Sequence, residues 1–404
     1  MESPFTQFIS NWKTNRQYFD MLRLMASLSK LFSENSIPYL DYRLTENLFC
    51  KCYEAINDAR SCTAYDARIG SLGIGIKTFG IVRGSSTEKI AEFNRLKPQL
   101  EPFHGVELAT KLAQLRNDRI ELANNAYAIT DSIYHIVGRI NGSLRIFNTA
   151  YRMINTDRIH RVEESDKSLS FEDDSDFYTF NKSKSVLMKR FILPSDYLDI
   201  EVDILNDPLD LLSSLLVVNH EHSFSYPSEQ SHQIESLIKY QPRIKGIDYV
   251  VLPLYSTRGK VAHVPEKSGI NQWNAGGRDR DENEVYIPVP INIRRNYPGF
   301  FPGRDVNFVL ILPDRTELSA KICQDGGKAL MSNPNSALGE WLLRKVLKKQ
   351  PGELVTMDDF VRFGIDSVLV EKTHTSNSAG QEIYKISFTV ADYESYESFI
   401  EEEI

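Results

Sequence analysis

Two charged side chains stand eleven residues apart in the run SCTAYDARIGSLGIGIKTFG (61–80): Asp66 and Lys77. A carboxylate and an ammonium carried by neighbouring strands are the groups that metal-dependent phosphodiester hydrolysis requires. The carboxylate holds Mg²⁺, which polarises a phosphoryl oxygen and supplies an activated water. The ammonium orients that water and offsets the negative charge that develops on phosphorus. A surface salt bridge on a structural hairpin is the competing account, and such a pair contributes little to stability.

The flanking residues say how the pair is positioned. Arg68–Ser71 reads as a hairpin turn, which puts strands at Ala64–Ala67 and Leu72–Phe79. The segment TENLFCKCYEAIN (45–57) reads as a preceding helix with Thr45 as its cap. STEKIAEFNRLKP (85–97) and VELATKLAQLRNDRIELANN (106–125) read as helices that follow. The order is therefore helix, two strands, helix.

On these residues the hairpin resembles the PD-(D/E)xK nuclease family, which includes most type II restriction endonucleases. The resemblance implies an aspartate, a spacer and then acid–x–lysine, with Asp66 as first member and Lys77 as last. The middle acid falls at position 75, where this chain has Gly75. In the family the missing carboxylate can move to the following helix. Glu92, with Glu88 one helical turn earlier on the same face, is the expected replacement. The helix before the hairpin also supplies an acid, and Glu46 is the candidate there, Glu54 the second choice. The expected site is thus Asp66, Lys77, Glu92 and Glu46, with Asp66 and Glu92 on Mg²⁺.

A second unusual stretch lies far downstream. KSGINQWNAGGRDRDENEVYIPVP (267–290) is rich in amide and guanidinium side chains, the groups that pair bidentately with adenine and guanine edges. With the FFP before a strand, the LPD turn, AKICQDGGKALMSNPNSALGEWLL and GIDSV (364–368), it resembles the B3-like DNA-recognition domain. The resemblance covers about 245–385 and is closest to the restriction-enzyme branch. It implies an open seven-stranded β-barrel that grips the major groove with two arms. Gln272, Asn274, Arg278 and Arg280 would face DNA from the first arm. Gln324, Lys328, Ser332 and Asn333 would do so from the second. Other enzymes join this domain to a phospholipase-D-type nuclease, but the His-x-Lys-x₄-Asp signature is missing here.

Totals agree with a DNA-directed protein of this kind. The chain has 404 residues, 41% hydrophobic and 25% charged, enough for two domains. A net charge of −8 argues against indiscriminate coating of nucleic acid and leaves room for a local basic face. The charge is uneven: EESDKSLSFEDDSD (163–176) is acidic, and the segment from Lys239 to Arg280 is basic on balance. Four cysteines make neither a disulfide scaffold nor a zinc-binding pattern, and Cys50, Cys52 and Cys62 read as free thiols. With no apolar membrane span and no signal core, a cytoplasmic protein is expected. His220 and His222 lie in a polar linker, and Gly326-Gly327-Lys328 departs from a P-loop at both ends. Phe180–Ser185 (FNKSKS) reads equally as a phosphate contact or as a solvated strand end.

The resulting expectation is an α+β, multidomain chain. Residues 1–230 form an α/β nuclease core of PD-(D/E)xK type with added antiparallel strands between about 131 and 205. Residues 240–404 form the B3-like barrel. The resemblance implies a Mg²⁺-dependent, sequence-specific endonuclease acting on double-stranded DNA, leaving 5′-phosphate and 3′-hydroxyl ends. Two strand breaks call for a homodimer or transient pairing. A DNA-binding regulator with an inactive nuclease fold is the alternative that Gly75 favours, and a methylation-dependent endonuclease is another.

Overall fold

Gly70, at φ 57°, closes the hairpin between β2 (Ala67–Ile69) and β3 (Leu72–Gly80). The computed structural model describes residues 2–59, 63–213, 244–256, 262–271 and 281–391. A short β1 (Ile56–Asn57) pairs antiparallel with β2, and β3 pairs in parallel with β5 (Asp131–Ile140). Parallel neighbours need a crossover, and the 23-residue helix Gly105–Tyr127 provides it. With β6 (Ser143–Ala150) and β11 (Leu198–Glu201) the sheet order is β1-β2-β3-β5-β6-β11.

Alternation along β3 divides its two faces. Ile74 and Ile76 pack toward α1 (Pro4–Asn11), α2 (Arg16–Ser27) and α3 (Tyr42–Cys52), in a core that includes Phe8, Tyr18 and Phe49. α3 starts three residues before the expected helix, and its cap is Asp41, whose carboxylate accepts the Arg43 and Leu44 N–H groups. The opposite face of the sheet carries Phe79, Tyr134 and Ile136.

The expected helix at 85–97 is instead β4 (Ser85–Glu92), and this corrects the sequence reading. β4 pairs antiparallel with β10 (Val186–Ile192) along its whole length, starting a second sheet, β4-β10-β9-β8-β7. The others are β7 (His160–Glu164), β8 (Ser168–Glu172) and β9 (Phe177–Asn181). A ladder to a partner a hundred residues away outweighs local helix propensity. Only beyond it, at Asn94–Leu100, does the chain turn helical. The antiparallel strands expected between about 131 and 205 are divided: β5, β6 and β11 belong to the first sheet and β7–β10 to this one, which packs on the long helix through Phe171, Tyr178, Leu108 and Leu112.

The C-terminal strands form one open sheet of seven. They are β12 (Tyr249–Pro253), β13 (Ile287–Pro288), β14 (Asn307–Ile311), β15 (Glu317–Cys323), β16 (Ala329–Ser332), β17 (Ser367–Ser376) and β18 (Glu382–Thr389). Their order is β12-β17-β18-β14-β15-β16-β13, with the β14–β18 pair parallel and every other pair antiparallel. Leu338, Trp341, Leu342 and Val346 make the expected core stripe, on a helix whose second part, Glu340–Val346, has π hydrogen bonding.

The N-terminal sheets and the barrel share a single apolar cluster that runs from Phe79 and Tyr134 to Val250, Trp341 and Phe388. Polar contacts fasten the same boundary. Arg362 binds Asp118 bidentately at 2.6 and 2.7 Å, Arg95 binds Asp366 at 2.7 Å, and Arg68 donates to the Pro313 carbonyl at 2.8 Å. The polar linker expected at 219–233, with His220 and His222, lies outside the described residues, as does Cys62.

Candidate functional site

Asp66 sits just before β2, where its backbone N–H donates to the Ile74 carbonyl at 3.0 Å and so extends the hairpin ladder. Its carboxylate accepts the Ile76 N–H at 2.7 Å. Lys77, the next residue on β3, exerts an electrostatic pull on this carboxylate. Burial pushes the Asp66 carboxyl up from its ordinary value, opposed by Lys77, the Ile76 N–H and Arg43.

Glu46 is the third member. It is 6% exposed on α3, and Arg43 one turn earlier donates to it at 3.3 Å. Burial, followed by the negative charge of Asp66, pushes its carboxyl up to about 7, while Arg43 and Lys77 act in the opposite direction. A buried carboxyl whose proton affinity is raised by burial and by a second carboxylate is an arrangement that a cation relieves. Among the described residues no group of three His, Cys, Asp or Glu side chains is placed to hold a metal ion. The two carboxylates in electrostatic contact here are Asp66 and Glu46. Mg²⁺ is commonly bound through one or two carboxylates, keeping several waters, and this pair fits it.

Glu92 is placed differently from the expectation. It ends a strand, with its carboxylate held by Lys89 at 3.0 Å and by the Asn94 amide. It does line the same cavity as Asp66 and Lys77. Glu88, expected on the same helical face, accepts the Ser86 hydroxyl. Glu54 is exposed beyond the end of α3 at φ 53°.

Gly75 has a physical reason. Its partner in the parallel ladder is Tyr134, and that ring stacks on Tyr151 at 4.1 Å between centroids. A Cβ at position 75 would lie 2.9 Å from both rings. The two tyrosines fill the space that an acid at 75 would need. Gly75→Asp is therefore expected to overpack the sheet, lowering stability by about 1–3 kcal/mol without adding a usable carboxylate. Chemical denaturation alongside a metal titration checks both halves of that expectation.

The cavity in front of the pair holds about 600 Å³. Arg116 and Arg119 reach it from the long helix, Asn94 and Arg95 from the turn after β4. Its remaining wall comes from the barrel, through Phe360 and the Gly364–Asp366 turn. Glu46 approaches Asp66 from α3 and is not part of the cavity wall. The arginines and the barrel wall were missed in the sequence. The GIDSV motif was visible there, but nothing in it indicated that its turn faces Asp66.

The second expected DNA arm is the loop between β15 and β16. Gln324 opens it at φ 66°, and Gly326 and Gly327 follow at φ 70°. Arg294 donates to the Gly326 carbonyl and props the loop from below. Lys328 and Asn333 are exposed, and Gln324 is partly exposed. Ser332 is a correction. It is 1% exposed, its hydroxyl donates to the Pro334 carbonyl and accepts the Leu338 N–H, both at 2.8 Å, and so it caps the next helix from inside the protein. The first arm's Gln272, Asn274, Arg278 and Arg280 lie outside the described residues.

An open seven-stranded sheet carrying an exposed polar loop between adjacent strands is the frame of a B3-like DNA-binding domain. Residues 247–374 match the family described as the NgoFVII C-terminal B3-like DNA-binding domain, so this part of the chain is similar to the DNA-binding domain of a restriction enzyme. No curated protein matches the chain. No helix of the described residues is long and apolar enough to cross a membrane.

Proposed function

We propose that this chain is a sequence-specific type II DNA endonuclease that requires Mg²⁺. The barrel selects the site on double-stranded DNA, and the N-terminal domain cuts. The match of residues 247–374 supports the DNA partner. The observation that carries the cutting half is Asp66 and Lys77 on the wall of a cavity rich in arginine, both acting electrostatically on the buried Glu46 carboxyl behind it.

Support for a PD-(D/E)xK-type core comes from topology: a helix, three antiparallel strands, then a helical crossover to a parallel strand, with Asp66 and Lys77 on the central hairpin. Asp66 and Glu46 would hold Mg²⁺, which when bound polarises the phosphoryl oxygen and lowers the pKa of a coordinated water. Lys77 orients the attacking water and stabilises charge on the pentavalent phosphorus. Glu92, on the cavity wall with its own cationic partner, contributes to shaping the site. The products carry 5′-phosphate and 3′-hydroxyl ends, and cutting both strands requires a homodimer or transient pairing on DNA.

Gln324, Lys328 and Asn333 read DNA from the second arm, with Gln272, Asn274, Arg278 and Arg280 from the first. Lys328→Ala is expected to weaken binding about equally for all sequences and to reduce the salt slope by about one unit, as loss of one phosphate contact does. Fluorescence anisotropy at several salt concentrations checks this.

Mapping cleavage ends on a sequenced plasmid tests the whole reading. Ends that recur at one short sequence support it, and random nicking or uncut plasmid counts against it. One observation favours a second reading. With position 75 closed by Tyr134 and Tyr151, a sequence-specific DNA-binding regulator with an inactive nuclease fold would show the same barrel and bind DNA without cutting. A methylated plasmid beside an unmethylated one separates a methylation-dependent endonuclease from both.

A further inference from the structure

A second cavity lies on the far side of the turn that carries Asn94 and Arg95. It holds about 330 Å³, within the range of small-molecule sites. Its floor is apolar, with Leu100, Phe103, Leu108 and Phe180. Its rim carries Lys97 and Lys167, whose ammonium groups make no ion pair or hydrogen bond with any described residue. Lys182 is also there, but Glu164 occupies it at 2.6 Å, and the same carboxylate takes the Gly105 N–H at the start of the long helix. Ser185 closes the wall. It is 1% exposed, and its hydroxyl has no hydrogen-bond partner. Glu101 and Asp166 also line the cavity and can accept hydrogen bonds from a ligand.

We infer that this cavity binds a nucleoside monophosphate, with the base on the apolar floor beside Phe103, and the phosphate between Lys97 and Lys167. An apolar floor with two aromatic side chains suits a nucleobase, the two uncommitted ammonium groups suit a dianion, and the acids suit exocyclic amines. Of the segment Phe180–Ser185 that the sequence singled out, Phe180, Lys182, Ser183 and Ser185 line this cavity and Lys184 does not. Ser185 is joined to the first cavity through its carbonyl, which accepts the Phe93 N–H at 2.8 Å. The site does not rest on the endonuclease reading. The same chemistry has two sources: a free nucleotide, or one swung out of a DNA strand.

Calorimetry on the full chain without divalent cations tests it, using deoxynucleoside 5′-monophosphates, the matching nucleosides and inorganic phosphate. The nucleotide is expected to bind saturably, at least about tenfold more tightly than either fragment, since both halves of the cavity are used. Lys97→Ala and Lys167→Ala are each expected to weaken it about tenfold, while Lys184→Ala, on the same turn but off the cavity wall, leaves it unchanged. Thermal melting confirms that the variants are folded. Absence of saturable binding at millimolar nucleotide overturns the proposal, as does an equal loss in Lys184→Ala. If 2-aminopurine in a duplex brightens on binding wild-type protein but not Lys167→Ala, the strand itself supplies the nucleotide. Nucleotide binding without that signal assigns the site to free nucleotide.

Discussion

Asp66→Asn is expected to slow DNA cleavage by about a hundred- to a thousandfold while duplex affinity stays within about twofold. The amide is isosteric and its oxygen still accepts the Ile76 N–H, so the hairpin keeps its shape. The lost charge is one of the two carboxylates proposed to hold Mg²⁺. Unfolding does not account for such a loss, because burial already raises the Asp66 carboxyl and removing a buried charge relieves that cost. Lys77→Ala gives the same split between binding and cutting. Gel shift and single-turnover cleavage on one oligonucleotide duplex measure both quantities. A variant that cuts normally would show that the hairpin is only structural.

Arg68→Met is expected to have the largest effect on stability, a loss of about 3–5 kcal/mol. Arg68 is 8% exposed and Asp58, its partner, 6%. The guanidinium also donates to the Pro313 carbonyl across the domain boundary and lies 4.5 Å from the Tyr127 ring centroid. Methionine fills much of the volume but leaves the Asp58 carboxylate buried without a counter-charge. Denaturant unfolding of the single variant and of Arg68→Met/Asp58→Leu separates the two contributions. The double variant should recover a large part of the loss, since removing both charges also removes the desolvation penalty. Equal stability of single and double variants would show that the Pro313 contact, rather than the charge, is what matters.

The hairpin that carries the candidate pair was legible, for local reasons. Gly70 and Ser71 specify a turn, and the alternation of β3 sets Lys77 on the face opposite Ile76. Glu46 was singled out because the segment before the hairpin reads as a helix, which α3 is. The barrel was legible because its polar arms and turn residues occur in a distinctive order. Glu92 was misplaced because the run Ser85–Glu92 contains good helix formers, while its true partner, Val186–Ile192, is remote in sequence. Ser332 was misread because polarity alone does not separate a surface hydroxyl from a buried cap. The filling of position 75 by Tyr134 depends on the register of two parallel strands joined by a long crossover, and no local pattern encodes that register.

The most direct test of the account is incubation of the purified full chain with supercoiled plasmid DNA, with Mg²⁺ in one set of tubes and EDTA in the other. Discrete linear fragments with Mg²⁺ and intact plasmid with EDTA are the predicted result. Sequence-specific retention of the plasmid with no cleavage in Mg²⁺ would contradict it and leave a binding protein in its place.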